Sequence, residues 1–138
     1  MDKEKVKEML IRHEAVRLLP YRCTSGKLTI GVGRNLSDKG ISLGEAMAML
    51  DADIVEAWTA LENNFTWFGR LDDVRKAVLV DMVFNLGLAG FKKFKRVQAS
   101  VERGDYERAA VEMLESKWAG QVGNRALELA RMMRVGAW

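Results

Sequence analysis

Three side chains near the amino terminus have the types and spacing to do chemistry: Glu14, Cys23 and Thr29. They lie in the stretch H-E-A-V-R-L-L-P-Y-R-C-T-S-G-K-L-T-I-G-V-G, in which a glutamate near the end of a helical pattern precedes a proline, a turn and a short Gly-punctuated strand. Position 14 ends one element, position 23 lies at the turn, and position 29 lies on the strand that returns from it. Residues so arranged converge on one pocket. A carboxylic acid shielded there would have a raised pKa and serve as a general acid. A lone acid facing a thiol and a hydroxyl that position a nucleophile is the equipment of glycosidic bond cleavage. Cys23 is the awkward member, because an ordinary thiol is mostly neutral at pH 7 and a poor base. Arg22 beside it would favour the thiolate, although neighbours on a strand point apart. His13 and Glu14 are consecutive on a helix and do not face each other.

The elements that must hold these residues are mainly helical, since helix formers dominate and only one proline is present. A first helix is predicted over Asp2 to Arg17, with Val6, Met9, Leu10 and Val16 on or near its buried side. Pro20 is expected to end it by disfavouring helical geometry at Leu19. Tyr21-Arg22, a Thr24-Ser25-Gly26 turn and Lys27 to Val32 predict a small β-hairpin, and Asp38-Lys39-Gly40 a further turn. Ser42-Leu43-Gly44-Glu45 is a capping box, with Ile41 placed as a staple. The helix it starts carries Met47, Leu50, Ile54, Trp58 and Leu61 at spacings of three and four, and Asn63-Asn64 closes it. From Asp73 to Leu86 the chain is nearly all apolar, which predicts a buried central helix stopped by Gly87. Shorter helices are predicted over Phe91 to Arg103, Asp105 to Ser116 and Asn124 to Val135. The expectation is an α+β fold, mainly α, with a small β-hairpin lobe, a linking helix, a larger helical lobe and a groove where the lobes meet.

Composition narrows the classes. At 138 residues and 49% apolar content the chain suits one core, and 30% well-mixed charge excludes a disordered chain. There is no apolar run near the length of a membrane span, and the charged start Met1-Asp2-Lys3-Glu4-Lys5 does not begin a signal peptide. A single cysteine excludes an internal disulfide; both features fit synthesis in a reducing cytoplasm. The formal charge of +3 gives a mild attraction to polyanions and selects no partner. Lys92-Lys93-Lys95-Arg96, with Phe91 and Phe94, is the one concentrated basic cluster, and it is expected to be a solvated helix face, not a nucleic-acid surface. No metal-ligand cluster stands out.

Glu14, eight intervening residues, Cys23, five more, Thr29 and then Ile30-Gly31-Val32-Gly33 resemble the phage-type, T-even-phage-like lysozymes of glycoside hydrolase family 24. Arg75-Lys76-Ala77-Val78, Asp81 to Gly87, Gly90-Phe91, Ser116-Lys117-Trp118, Asn124-Arg125-Ala126 and Gly136-Ala137-Trp138 extend the resemblance over nearly the whole chain. It implies a lysozyme-like two-lobed fold as a single domain over residues 1–138. The small lobe would span about 13–45, the large lobe about 65–138, and the N-terminal helix would pack on the large lobe. By the same resemblance Glu14 donates a proton to the glycosidic oxygen, Thr29 helps hold the attacking water, and Cys23 stands where many relatives carry aspartate. Arg125 would reach towards Glu14, and Phe84 and Asn85 would line the sugar groove. The implied substrate is the β-1,4 linkage between N-acetylmuramic acid and N-acetylglucosamine in cell-wall peptidoglycan. No cofactor or metal, no nucleic acid and no stable membrane insertion are implied, and a monomer is expected. The enzyme would be made in the host bacterial cytoplasm and act on the wall after release. The family's frequent histidine is replaced by Arg34, and the segment from Arg34 to Ser42 is short. A catalytically impaired wall-binding module and a lytic transglycosylase, which forms an anhydro sugar without water, are the alternatives.

Overall fold

The computed structural model describes all residues from 1 to 138, and they fall into two compact units, 1–49 and 50–138. The smaller unit begins with α1 (Lys3–Glu14), whose first turn is capped by the Asp2 carboxylate accepting from the Lys5 N–H at 3.1 Å. The helix stops at Glu14 and not at Arg17, and Pro20 is not what stops it. Ala15 turns to φ 62°, ψ 168°, a conformation that ends the helical ladder. Seven of the twelve α1 residues are charged, so its apolar stripe is narrow, and no residue of the helix is buried. Met9, Leu10 and Val16 are exposed and only Val6 is half-buried, contrary to the buried side predicted for them.

Three strands follow, β1 (Arg17–Arg22), β2 (Leu28–Gly31) and β3 (Arg34–Asn35), antiparallel in the order β1-β2-β3. Pro20 sits inside β1, an edge strand, where its missing N–H need not cost a ladder bond. β3 was not predicted as a strand; at two residues it is too short to show an alternating pattern. Ser42 and Glu45 form the expected capping box: the Glu45 N–H donates to the Ser42 hydroxyl at 3.1 Å, and the Ser42 N–H to the Glu45 carboxylate at 2.9 Å. They start α2 (Leu43–Asn64), which continues into the larger unit.

The larger unit holds a short 3₁₀ turn (Phe68–Arg70) and helices α3 (Asp73–Lys92), α4 (Lys95–Glu102), α5 (Tyr106–Leu114), α6 (Lys117–Val122) and α7 (Asn124–Val135). Val74, Val78, Leu79, Met82 and Val83 bury one side of α3 in the core, beside Phe68, Met113 and Met133. Gly87 breaks α3 at φ 74°, and the helix resumes to Lys92. Phe91 therefore ends α3 instead of starting the next helix, and Phe94, outside helical geometry, separates it from α4. Phe91 is fully buried and meets Phe65 edge-to-face at 5.6 Å, which holds that last turn on the core. α6, not predicted, is capped by the Ser116 hydroxyl accepting from the Ala119 N–H at 3.2 Å. A single buried carboxylate, Glu112 on α5, takes the Ser100 hydroxyl and lies 3.7 Å from Arg108 and 4.0 Å from Arg96.

Candidate active site

Glu14 is the last residue of α1, and its side chain lies against the backbone of Gly33 just beyond β2. A Cβ at Gly33 would stand 2.7 Å from a carboxyl oxygen of Glu14, and φ of +66° there already favours glycine. Only glycine lets the turn approach this closely. Ala15 immediately follows in a backbone region that non-glycine residues rarely occupy. The acid is thus fixed from two sides, by the abrupt end of its helix and by the turn packed on it. Its residue is solvent-exposed, as is His13 beside it.

Cys23 and Thr29 meet on a shared backbone segment of the hairpin. The Cys23 N–H donates to the Lys27 carbonyl at 2.9 Å, and the Gly26 N–H closes the turn onto the Cys23 carbonyl at 2.8 Å. The Thr29 hydroxyl donates to the same Lys27 carbonyl at 2.9 Å. Thr29 is the one buried residue among positions 1–49. Its proton is committed inward, so toward a water it offers lone pairs. The Cys23 sulfur lies 3.1 Å from the Ser25 hydroxyl. That hydroxyl, followed by the backbone N–H groups of Lys27 and Ser25 and lastly Thr29, outweighs a small effect of burial and lowers the thiol to about 7. Arg22 instead turns its guanidinium onto the Gly26 carbonyl at 3.0 Å. The thiol is consequently more acidic than an ordinary one, which sequence spacing did not disclose. The only hint was a serine two positions on.

Just beyond the Gly33 turn, Arg34 forms a two-pronged ion pair with Glu45, at 2.7 and 2.9 Å, and also reaches the Gly40 carbonyl at 3.3 Å. Hydrogen bonding from Arg34, then from Ser42, holds the Glu45 carboxyl down at about 2, and Arg34 itself is raised. One carboxylate thereby completes the capping box of α2 and ties the residue after Gly33 to it.

In the larger unit Phe84 is 47% exposed. Asn85 is exposed, and its side-chain amide oxygen Oδ1 accepts from the Trp118 indole N–H at 2.9 Å. Arg125, expected to turn towards Glu14, is engaged by Asp81 through Nε at 2.8 Å and Nη2 at 2.7 Å. Asp81, Phe84 and Arg125 line a largely apolar depression of about 500 Å³ with Trp58 and Trp138. No group of three or more His, Cys, Asp or Glu side chains is placed to hold a metal ion. No helix is long and apolar enough to cross a membrane.

A mainly helical chain with a small antiparallel sheet, carrying an acid at the end of its first helix, defines the lysozyme-like α+β class. The family model described as phage lysozyme matches residues 11–133. Probable T4-type lysozyme 1 of Dictyostelium discoideum is 27% identical over 95% of this chain and 94% of its own length. The SAR-endolysin of Escherichia phage Mu is 29% identical over 92% of this chain and 78% of its own. An endolysin of Acyrthosiphon pisum secondary endosymbiont phage 1 is 31% identical over 84% of this chain and 78% of its own. The chain belongs to the phage lysozyme family of glycoside hydrolases and is a peptidoglycan hydrolase.

Proposed function

We propose that the chain hydrolyses the β-1,4 bond between N-acetylmuramic acid and N-acetylglucosamine, with Glu14 as the acid. Glu14 gives its proton to the bridging oxygen as the bond from the anomeric carbon to that oxygen breaks. A water attacks the anomeric carbon, is oriented by the lone pairs of Thr29, and passes a proton to the Cys23 thiolate. The thiol and Glu14 then return to their starting states by proton exchange with solvent. Phe84 offers an apolar face to the glycan, Asn85 a polar one, and Arg125 a cation whose position is set by Asp81. The observation that carries this reading is the Glu14 carboxyl fixed against Gly33, in the unit whose hairpin holds a thiol poised near neutral pH.

Glu14→Gln removes the proton at nearly constant volume. It should cut lysis of purified walls by at least two orders of magnitude without altering thermal unfolding. Lysis near the parental rate would remove Glu14 from the role. Because the site offers one carboxylate and a thiol in place of a second one, product analysis matters as much as rate. Mass spectrometry should find reducing muropeptides; anhydro-muramic ends would mean transglycosylation and would take the water step away from Cys23.

A further inference from the structure

The edge of the small sheet carries a feature that bond cleavage does not use. Along β1 the pairing runs Arg17 with Gly31 and then Tyr21 with Thr29, so Leu18, Leu19 and Pro20 stand opposite the single Ile30. The bulge lifts these three residues from the ladder. Leu18 is left 83% exposed and Leu19 79%, whereas adjacent strand residues ordinarily face opposite sides. Cations flank the knuckle. From Arg12 to Lys27 the sequence holds four cations against one carboxylate, Glu14. Arg17 stacks its guanidinium over the Tyr21 ring at 4.4 Å, and neither it, Arg12 nor Arg22 takes part in a salt bridge.

We propose that this knuckle is an interfacial docking site for an anionic phospholipid surface, Leu18 and Leu19 entering the acyl boundary while Arg17 and Arg22 on the same strand meet the phosphates. Apolar tips ringed by an aromatic and by basic side chains suit the headgroup region of a bilayer. A soluble polyanion would use the arginines and leave the leucines in water. A second copy adding a strand to this edge would need its backbone donors, and Pro20 has none. The site is shallow and is separate from any membrane-spanning segment.

Sedimentation of the full chain with vesicles of three parts zwitterionic to one part anionic phospholipid tests this. The parental protein should bind at low salt, release as ionic strength rises, and ignore purely zwitterionic vesicles. The exposed double substitution Leu18→Ser with Leu19→Ser should weaken binding at least tenfold while leaving hydrolysis of purified, lipid-free walls unchanged. Absence of parental binding overturns the proposal. So does equal binding by the leucine variant with loss only on Arg17→Gln and Arg22→Gln, which would make the site a polyanion patch. A parental dimer in ultracentrifugation that the leucine variant abolishes would assign the knuckle to a second copy. Loss of lipid-free hydrolysis in that variant would assign it to the glycan.

Discussion

The two units are held together by different physics. Every buried apolar side chain belongs to the larger unit, from Ala57 to Met133, while the smaller unit buries only Thr29. In the larger unit shape is set by packing, and its polar contacts decorate a core. In the smaller unit shape is set by caps, turns and ion pairs: Asp2 on α1, Lys27 on Asp38 at 3.1 Å, Arg34 on Glu45, and the Ser42 capping box. The proposed acid, thiol and hydroxyl all sit in the second kind of structure. Polar scaffolding places titratable groups within reach of substrate, at the expense of the packing that makes a unit stable.

Truncation should separate the units most sharply in stability. Phe91→Ala opens a cavity in the core and should cost about 3–5 kcal/mol in urea unfolding. Leu43→Ala, at a 76% exposed position of the smaller unit, should cost under about 0.5 kcal/mol. Similar losses at the two positions would break the contrast, since they would mean that exposed apolar residues near the sheet are structural after all.

Gly33→Ala should reverse the pattern. The new methyl meets the Glu14 carboxyl at 2.7 Å in a left-handed backbone, so either the acid moves or the turn does. Stability should fall by about 1–3 kcal/mol, the usual cost of such strain, and wall hydrolysis by more than tenfold, because the acid leaves its place. Activity and stability measured on one preparation check this. Hydrolysis at the parental rate would show that the contact with Gly33 does not set the acid.

The contrast also explains what the sequence disclosed. Patterns that local chemistry dictates were legible: the Ser42–Glu45 box and α7 over Asn124–Val135, and Gly87 as an interruption, although the helix resumes beyond it to Lys92 instead of stopping there. The apolar run of α3 marked it as a core helix, but not which side is buried: Val74, Val78, Leu79, Met82 and Val83 face the core while Phe84 is exposed. Where single backbone torsions or side-chain partners decide, spacing failed. Nothing in Glu14-Ala15 announces a positive φ at an alanine, so the helical pattern runs on to Arg17 and Pro20 looks like its end, whereas Ala15 ends it. α6 is six residues long, too short for a period. At the site, the motif around Glu14, Cys23 and Thr29 was visible. The Ser25 bond that tunes the thiol and the Asp81 grip on Arg125 depend on rotamers and on a distant helix, so they were not.

A gentler probe of the polar scaffold is acid. Glu45 titrates near 2 when folded, through Arg34 first and Ser42 next, against about 4.3 in an unfolded chain. A depressed carboxyl contributes stability in full above the unfolded value, and the contribution fades as pH drops from about 4.3 through 2. Arg34→Gln should therefore be less stable than the parent at pH 6, and the gap should narrow steadily below about pH 4.3 and close only below the folded value. The pair is partly solvent-exposed, so the gap should be small and shrink with salt. An unchanged gap from pH 6 to 2.5 would mean that Arg34 acts by packing and not by charge.

The smallest structural effect with the most to say about chemistry is at Cys23. Its thiol titrates near 7 because Ser25 and the turn's N–H groups favour the thiolate. The rate of alkylation by iodoacetamide should rise through pH 7, and Ser25→Ala should move that midpoint up towards the ordinary thiol value of about 8.5. Stability should hardly change, because the thiol is not deeply buried and only one exposed hydrogen bond is lost. If hydrolysis shares the midpoint and moves with it, the thiolate is the base that takes the proton from water. If alkylation moves while the rate profile stays fixed, or if Cys23→Ser keeps the parental rate, the thiol is a bystander. The polar scaffold would then have tuned a group that the reaction does not use.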